Sequence, residues 1–156
     1  MSVEPGGGPV DDAALEPAIA LAGRTLGAYL DQVASETPAP GGGSVAGAVA
    51  ALGAALGAMA CRLSGERNAA GERGLSAEIA AALTRLERAR GEAMRLAAAD
   101  EAAYAAYRAA ASLPHGDDRQ RADRRRAMHA ALVEATDTPL ALASVCLAVL
   151  DALAPV

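Results

Sequence analysis

A proline- and glycine-rich segment that runs into a stretch of small residues sets narrow limits on how this chain can fold. Residues 38–44 read Pro-Ala-Pro-Gly-Gly-Gly-Ser, and residues 45–63 are mostly alanine, glycine, valine and leucine. The prolines restrict the backbone, the glycines let another group come close, and Ser44 can cap the helix that follows. Free N–H groups at such a helix start favour an anion. The pattern predicts a loop of defined structure before a helix. Prolines and glycines at such positions are, however, also typical of an ordinary linker.

The apolar residues of the chain are small, which limits how its helices can pack. Hydrophobic residues make up 53% of the 156 positions, yet there is no Phe, no Trp and only three Tyr. Because alanine buries little area, helices built from it gain stability by close approach to many neighbours. Gly43 and Gly47, like Gly53 and Gly57, lie four residues apart, a spacing that lets two backbones approach closely. We predict an all-α domain that dimerises through Gly/Ala-rich helix faces.

Helical periodicity predicts a bundle of about five helices, one of them long, and no segment has the alternation and turn chemistry of a strand. The predicted helices cover residues 25–35, 44–63, 76–112, 118–136 and 140–153. Ser76 is the predicted cap of the long third helix, and residues 137–139, Asp-Thr-Pro, are predicted to separate the last two. Residues 1–20 are predicted as a disordered lead-in without a signal peptide, and residues 21–156 as the helical domain.

The charge pattern argues against nucleic acid as a partner. All fourteen basic residues are arginine, and nineteen acidic residues give a net charge of −5. A nucleic-acid footprint requires the opposite balance. The arginine run within residues 119–126 is interleaved with aspartates, which is typical of a solvated helix face.

The remaining residue types indicate a cytoplasmic protein without a metal. Cys61 and Cys146 lie in apolar helical segments and are predicted as buried thiols of a reducing compartment. His115 and His129 are the only histidines, and no Cys/His cluster has ligand spacing, so neither a metal nor a cofactor is predicted. Residues 45–61 are the only transmembrane candidate and fall short of the ~20 residues that a span needs. A buried helix of a soluble bundle, with no membrane partner, is therefore predicted.

Three motif blocks follow one another along the chain. The first, residues 31–62, contains the Pro-Gly-Gly-Gly-Ser loop, and the second comprises Asp100-Glu-Ala-Ala-Tyr104, Tyr107 and Leu113-Pro114. The third comprises Arg125-Arg126-Ala127 and Ala135-Thr-Asp-Thr-Pro139-Leu140. Together these blocks resemble the cyclodeaminase/cyclohydrolase family of folate one-carbon enzymes, which includes the carboxy-terminal half of formimidoyltransferase-cyclodeaminase. Three blocks in the right order are more specific than one glycine loop.

The resemblance implies an all-helical, dimeric enzyme that acts on tetrahydrofolate carrying a C1 unit. Family members release ammonia from 5-formiminotetrahydrofolate to give the 5,10-methenyl form, or hydrolyse that methenyl bridge to 10-formyltetrahydrofolate. Asp100 matches the family's catalytic aspartate. The family's glycine-rich substrate loop corresponds to Pro40, Gly41, Gly42, Gly43 and Ser44. Both reactions stay open, with a slight preference for the cyclodeaminase, and the tetrahydrofolate derivative is the substrate.

The residues around Asp100 fit this chemistry. Cyclodeamination needs a base to take the proton of N10 and an acid for the departing ammonia, and one carboxylate in apolar surroundings can serve both steps. Alanines flank Asp100, and Tyr104 and Tyr107 share its helix face, where they can stack on a flat ring. Without the resemblance, a surface carboxylate beside core tyrosines is the commoner interpretation.

Two basic positions are the predicted contacts of the glutamate tail of a reduced folate, polyglutamylated or not. Arg67 lies where the family has a pair of basic residues, but Glu66 occupies one of the two places, and His115 stands where the family commonly has lysine. The domain is also predicted to lack the family's C-terminal segment. A second hypothesis therefore stays open, a non-catalytic helical dimerisation module or an inactive remnant of this family.

Overall fold

The computed structural model describes residues 21–67, 73–154 and 156, and the predicted lead-in over residues 1–20 lies outside the described residues. After a 3-10 turn at Leu21–Gly23, the helices are, in chain order, α1 (Leu26–Val33), α2 (Gly42–Leu63), α3 (Ala77–Ala111) and α4 (Asp118–Leu153). The predicted all-α class is confirmed. The described helices are four, however, and two of them are long.

A small β element, which the sequence did not predict, lies between α2 and α3. Strand β1 (Glu66–Arg67) pairs antiparallel with β2 (Arg73–Gly74), and each strand has only two residues. A pair this short lacks the alternation of polar and apolar residues that marks a strand in sequence. It tightens the connection between the two helices and leaves the helical class unchanged.

Side-chain caps define the beginnings of three helices. Thr25, Ser76 and Asp117 each accept a hydrogen bond from the backbone N–H three residues later. The predicted cap at Ser76 is therefore confirmed. The predicted cap at Ser44 is wrong, because α2 begins after Gly41 without a side-chain cap and Ser44 lies inside its first turn.

Helix α4 passes through the break that was predicted at residues 137–139. The helix contains Pro139, which removes one hydrogen bond to a carbonyl one turn earlier. Ala131 before the proline and Leu142 after it are both buried. The prediction of two separate helices is wrong because tertiary packing on both sides of Pro139 outweighs its local cost.

Helix α3 lies between α2 and α4 and contacts both of them extensively, whereas α2 and α4 touch each other little. The largest core cluster takes small residues from all three helices. Its buried members are Ala54, Ala58, Cys61, Ala82, Leu86, Ala89, Val149 and Ala152.

The thiol of Cys61 is buried as predicted, but Cys146 is exposed. Cys146 lies on a side of α4 that no described helix covers, which its apolar neighbours in the sequence did not reveal.

Close approach of α2 to its neighbours depends on two glycines, Gly47 and Gly57. We call these two residues the glycine seam. A Cβ at Gly47 would lie 2.7 Å from the Cβ of Ala97 and 2.9 Å from the carbonyl oxygen of Ala93. A Cβ at Gly57 would lie 2.7 Å from a methyl carbon of Leu153. Gly53, by contrast, would meet nothing within 4 Å. The predicted role of small residues in close packing is confirmed at Gly47 and Gly57 but not at Gly53.

Exposed ion pairs lie on the surfaces of the helices. The carboxylate of Glu87 in α3 binds Arg62 of α2 at 2.7 Å and Arg90 one turn further along at 2.7 Å. Hydrogen bonds from Arg62 and then Arg90 hold the pKa of Glu87 below its ordinary value. In α4, Arg121 pairs with Asp118, and the side chains of the arginine run are largely exposed, as predicted for a solvated helix face.

Two helices pass a test of length and composition for crossing a membrane. They are α2 and α4, and 39% and 17% of their most apolar windows are buried inside the structure. The sequence analysis expected a single candidate, and the continuity of α4 adds the second. Core helices of soluble proteins pass the same test, so it is weak evidence for a membrane.

Candidate functional site

A cleft of about 460 Å³ lies where the first turn of α2 meets the second half of α3. Its walls are the loop residues 38–39 and 41–43, the acidic pair Asp100 and Glu101, the rings of Tyr104 and Tyr107, and Leu132 and Ala135 of α4. The volume falls within the range of about 300–1,000 Å³ typical of small-molecule sites. None of the described lining residues is basic.

The carboxylate of Asp100 lies directly against the start of α2. The backbone N–H of Ser44 donates a hydrogen bond to Oδ2 of Asp100 at 3.0 Å. The other oxygen, Oδ1, would lie 2.0 Å from a Cβ at Gly43, so the carboxylate fits only because that residue is glycine. α2 has no acidic residue in its own first turn. Asp100 of α3 therefore supplies the negative charge that the dipole and N–H groups of a helix start stabilise.

A buried polar cluster extends from the cleft wall, at Glu101, into the interior. Glu101, only 9% exposed, pairs with Arg24, whose Nη2 lies 2.7 Å from Oε2. The hydroxyl of Ser44 donates to Oε1 of Glu101 at 2.8 Å. Since a serine hydroxyl has a single proton, the hydroxyl of Tyr29, 3.0 Å away, donates in turn to Ser44. The hydroxyl of Ser44 is thus committed to this cluster, which explains why it does not cap α2.

The aromatic and apolar walls suit a flat ring. Tyr104 and Tyr107 lie four and seven residues after Asp100 on the same helix, and both side chains are half-buried. Leu132 and Ala135 of α4 face the same cleft. Aromatic groups pair in offset-stacked or edge-to-face arrangements, and a half-buried tyrosine keeps ring surface exposed for such a partner. The cleft thus combines one carboxylate on a helix start with a wall for an aromatic or heteroaromatic ligand.

The structure brings most of the predicted site residues together. Gly41, Gly42, Gly43, Asp100 and Tyr104 all line the cleft.

The other predicted residues lie elsewhere. Pro40 and Ser44 are buried just behind the cleft wall. His115 is exposed in the connection between α3 and α4 and is not part of the lining. Arg67 belongs to β1, and its side chain lies outside the described residues.

Comparison with known proteins assigns the chain to a family. Residues 25–156 match the family described as formiminotransferase-cyclodeaminase. The chain belongs to this family. The resemblance found in the sequence is therefore confirmed, and the family includes cyclodeaminase and cyclohydrolase enzymes of folate one-carbon metabolism. The matched region contains every described residue of the cleft wall.

One curated relative in this family is a methenyltetrahydrofolate cyclohydrolase of Methylorubrum extorquens. The two chains are 36% identical over 127 residues, which make up 81% of this chain. The chain spans about 60% of the length of that relative.

Three members of the polar cluster, Tyr29, Glu101 and Arg24, were not among the predicted site residues. The sequence did contain a signal for Glu101. Consecutive residues of a helix point about 100° apart, so the two adjacent carboxylates in this run of alanines cannot share one environment. Arg24 carried none, since it precedes α1 and meets Glu101 only in the folded chain, 77 residues later.

Proposed function

We propose that this chain is a folate one-carbon enzyme that hydrolyses 5,10-methenyltetrahydrofolate to 10-formyltetrahydrofolate. One observation carries the proposal, the carboxylate of Asp100 held by the N–H of Ser44 inside a cleft of ligand size. The family supports a reaction of folate one-carbon metabolism, and the name of the Methylorubrum extorquens relative favours hydrolysis over ammonia release from the formimino form.

The proposed reaction needs a base and then an acid at one carbon. Water attacks the cationic methenyl carbon, and the carboxylate of Asp100 takes the proton that the water loses. As the bond from this carbon to N5 breaks, Asp100 returns a proton to N5. The hydroxyl proton of the intermediate leaves to solvent, and a formyl group remains on N10. The hydrogen bond from the N–H of Ser44 fixes the position of the carboxylate that this proton transfer uses.

The cleft walls suggest how the substrate is held. Tyr104 and Tyr107 provide a surface for the pterin or aminobenzoate ring, and Gly42, where an added Cβ would meet nothing within 4 Å, leaves room for the C1 unit beside Asp100. We propose that Arg67 and His115 contact the glutamate tail, because anionic tails are held by cationic side chains outside the reacting centre.

The experiment that tests the reaction follows the loss of methenyl absorbance with purified protein. We expect the wild-type protein to accelerate hydrolysis and Asp100→Asn to lower kcat by about 100-fold or more, the usual worth of a general acid–base group. The matched control is Asp151→Asn, because Asp151 is exposed near the end of α4 and outside the cleft lining. This control should keep the wild-type rate, and circular dichroism should show all three proteins equally helical.

Two results would redirect the proposal. Equal rates for wild-type protein and Asp100→Asn would remove Asp100 from the reaction. If folded wild-type protein leaves the methenyl compound at the buffer rate, ammonia release from 5-formiminotetrahydrofolate is the next assay. Failure of both reactions would favour the non-catalytic module or inactive remnant.

We also propose that a second copy of the chain covers the outer side of α2. This side presents an apolar stripe whose members are 50–63% exposed, namely Val49, Leu52, Leu56, Met59 and Leu63. Their spacing of three, four, three and four residues is that of the seam between paired helices. Exposed apolar residues in such a continuous row mark an interaction surface.

Light scattering after gel filtration tests the homodimer. We expect twice the monomer mass for the wild-type protein. Leu56→Glu should be a monomer, or should dimerise at least about 100-fold more weakly, because burying an unpaired charge is very costly. Thr84→Glu adds the same charge to an exposed site on α3 and should leave the dimer intact. A wild-type monomer at micromolar concentration, or recovery only with membranes, would contradict the proposal.

A further inference from the structure

A buried ion pair, of which Glu101 belongs to the cleft wall and Arg24 lies behind it, is more elaborate than the packing of the fold requires. The side chains of Arg24 and Glu101 are 12% and 9% exposed, and both guanidinium amino groups reach the carboxylate, at 3.3 and 2.7 Å. Removing two charges from water is expensive, and apolar residues of similar size often stabilise a fold as well as a buried pair does. Stability alone is therefore a weak reason for Glu101 at this position.

Ser44 connects the ion pair to the carboxylate of the cleft. Its hydroxyl donates to Oε1 of Glu101 at 2.8 Å, and its backbone N–H donates to Oδ2 of Asp100 at 3.0 Å. Asp100 and Glu101 are consecutive residues of α3, so one residue of α2 is held at two points by neighbouring side chains. Ser44 is fully buried, and Tyr29 of α1 fixes its hydroxyl from the other side. The N–H that faces Asp100 is therefore held by two side chains, Glu101 and Tyr29, that bind the hydroxyl of Ser44 and not the carboxylate of Asp100.

We propose that Glu101 is a positioning residue, which holds Ser44 with Arg24 as its counter-ion so that the first turn of α2 presents its N–H to Asp100. The reaction assigned to Asp100 is the proposed function above, and the kinetic part of the test rests on it. The counter-ion matters because it neutralises Glu101, which leaves Asp100 as the one carboxylate of the described cleft wall without an arginine partner.

Glu101→Gln tests the proposal kinetically. Glutamine keeps an oxygen that accepts from the hydroxyl of Ser44 but leaves Arg24 buried without its counter-ion. We expect kcat for methenyl hydrolysis to fall by about 10- to 100-fold with KM within about threefold, because small misplacements of a catalytic group lower the rate by such factors. The double variant Arg24→Gln with Glu101→Gln has no unpaired charge and should recover part of the lost kcat.

Glu87→Gln is the matched control. Glu87 is another glutamate of α3 that binds two arginines, but it lies outside the cleft lining. It should leave both kcat and KM at wild-type values. If Glu101→Gln does not fold, Ser44→Ala removes only the hydroxyl link and should lower kcat in the same way.

A measurement that needs no turnover uses the amide resonance of residue 44. A hydrogen bond to a carboxylate moves an amide proton downfield, and Asp100→Ala gives its position when the bond is lost. We expect Glu101→Gln to move this resonance toward the position in Asp100→Ala, and Glu87→Gln to leave it in place. Unchanged kcat, a change in KM alone, or an unmoved amide in folded Glu101→Gln would overturn the positioning role. If the wild-type protein is inactive, the proposed function fails, and the amide resonance alone decides the positioning role.

Discussion

Replacing Gly43 by alanine is expected to lower kcat by about 100-fold or more in a protein that still folds, because displacement of a catalytic group by an ångström has effects of this size. The added Cβ would lie 2.0 Å from Oδ1 and 2.4 Å from Cγ of Asp100. The backbone of α2 cannot move away to make room, since the glycine seam holds it against α3 from Gly47 onward. The side chain of Asp100 must therefore leave the first turn of α2.

Two alanine variants separate this displacement from other effects. Gly42→Ala adds a methyl group to the same cleft, where it would meet nothing within 4 Å. It should raise KM and leave kcat within about threefold, because it narrows the cleft without moving the carboxylate. Gly91→Ala, on an exposed part of α3, should change neither constant. Equal losses of kcat in Gly42→Ala and Gly43→Ala would show that crowding of the cleft, and not the position of Asp100, sets the rate.

Replacing Gly47 by alanine is expected to lower the free energy of unfolding by about 1–3 kcal/mol, the usual cost of overpacking a core. The new methyl group would overlap the Cβ of Ala97 at 2.7 Å and the carbonyl oxygen of Ala93 at 2.9 Å. Neither atom belongs to a flexible side chain that can turn aside, so α2 and α3 must separate. Urea unfolding at one fixed protein concentration measures the change, because the proposed dimer would make stability depend on concentration.

Gly91→Ala is also the control for stability. Its added Cβ would meet nothing within 4 Å, and the residue lies in the middle of α3. Alanine is the better helix former, so this variant should gain about 0.5–1 kcal/mol. A loss of stability in both variants would mean that the glycine seam is not the reason for the effect at Gly47.

The sequence predicted those helix limits that depend on nearby residues. The cap at Ser76 and the end of α3 before Pro114 are local signals, and the structure has both. Pro139 gave the wrong limit for the opposite reason, because α4 continues through it on the strength of packing against α3. The exposure of Cys146 was also missed, since burial depends on which side of a helix finds a partner.

The candidate site was also predicted only in part, and again the local features were the predictable ones. Helical spacing placed Tyr104 and Tyr107 on the side of Asp100, and the structure puts all three in one cleft. The importance of Asp100 itself came from the resemblance. No periodicity predicted that Ser44 meets residues 56 and 57 positions later, because such contacts form only when α2 and α3 pack.

The glycine seam has a consequence for how α2 can change in evolution. Most core positions tolerate exchange among side chains of similar size, but at Gly47 and Gly57 every amino-acid substitution adds atoms where neighbours already lie within van der Waals distance. On the opposite side of the helix, the apolar stripe is free of such contacts in the single chain. Substitutions on the inner face of α2 therefore disturb the fold of the single chain, whereas those on the outer face alter only its association and leave Asp100 in place.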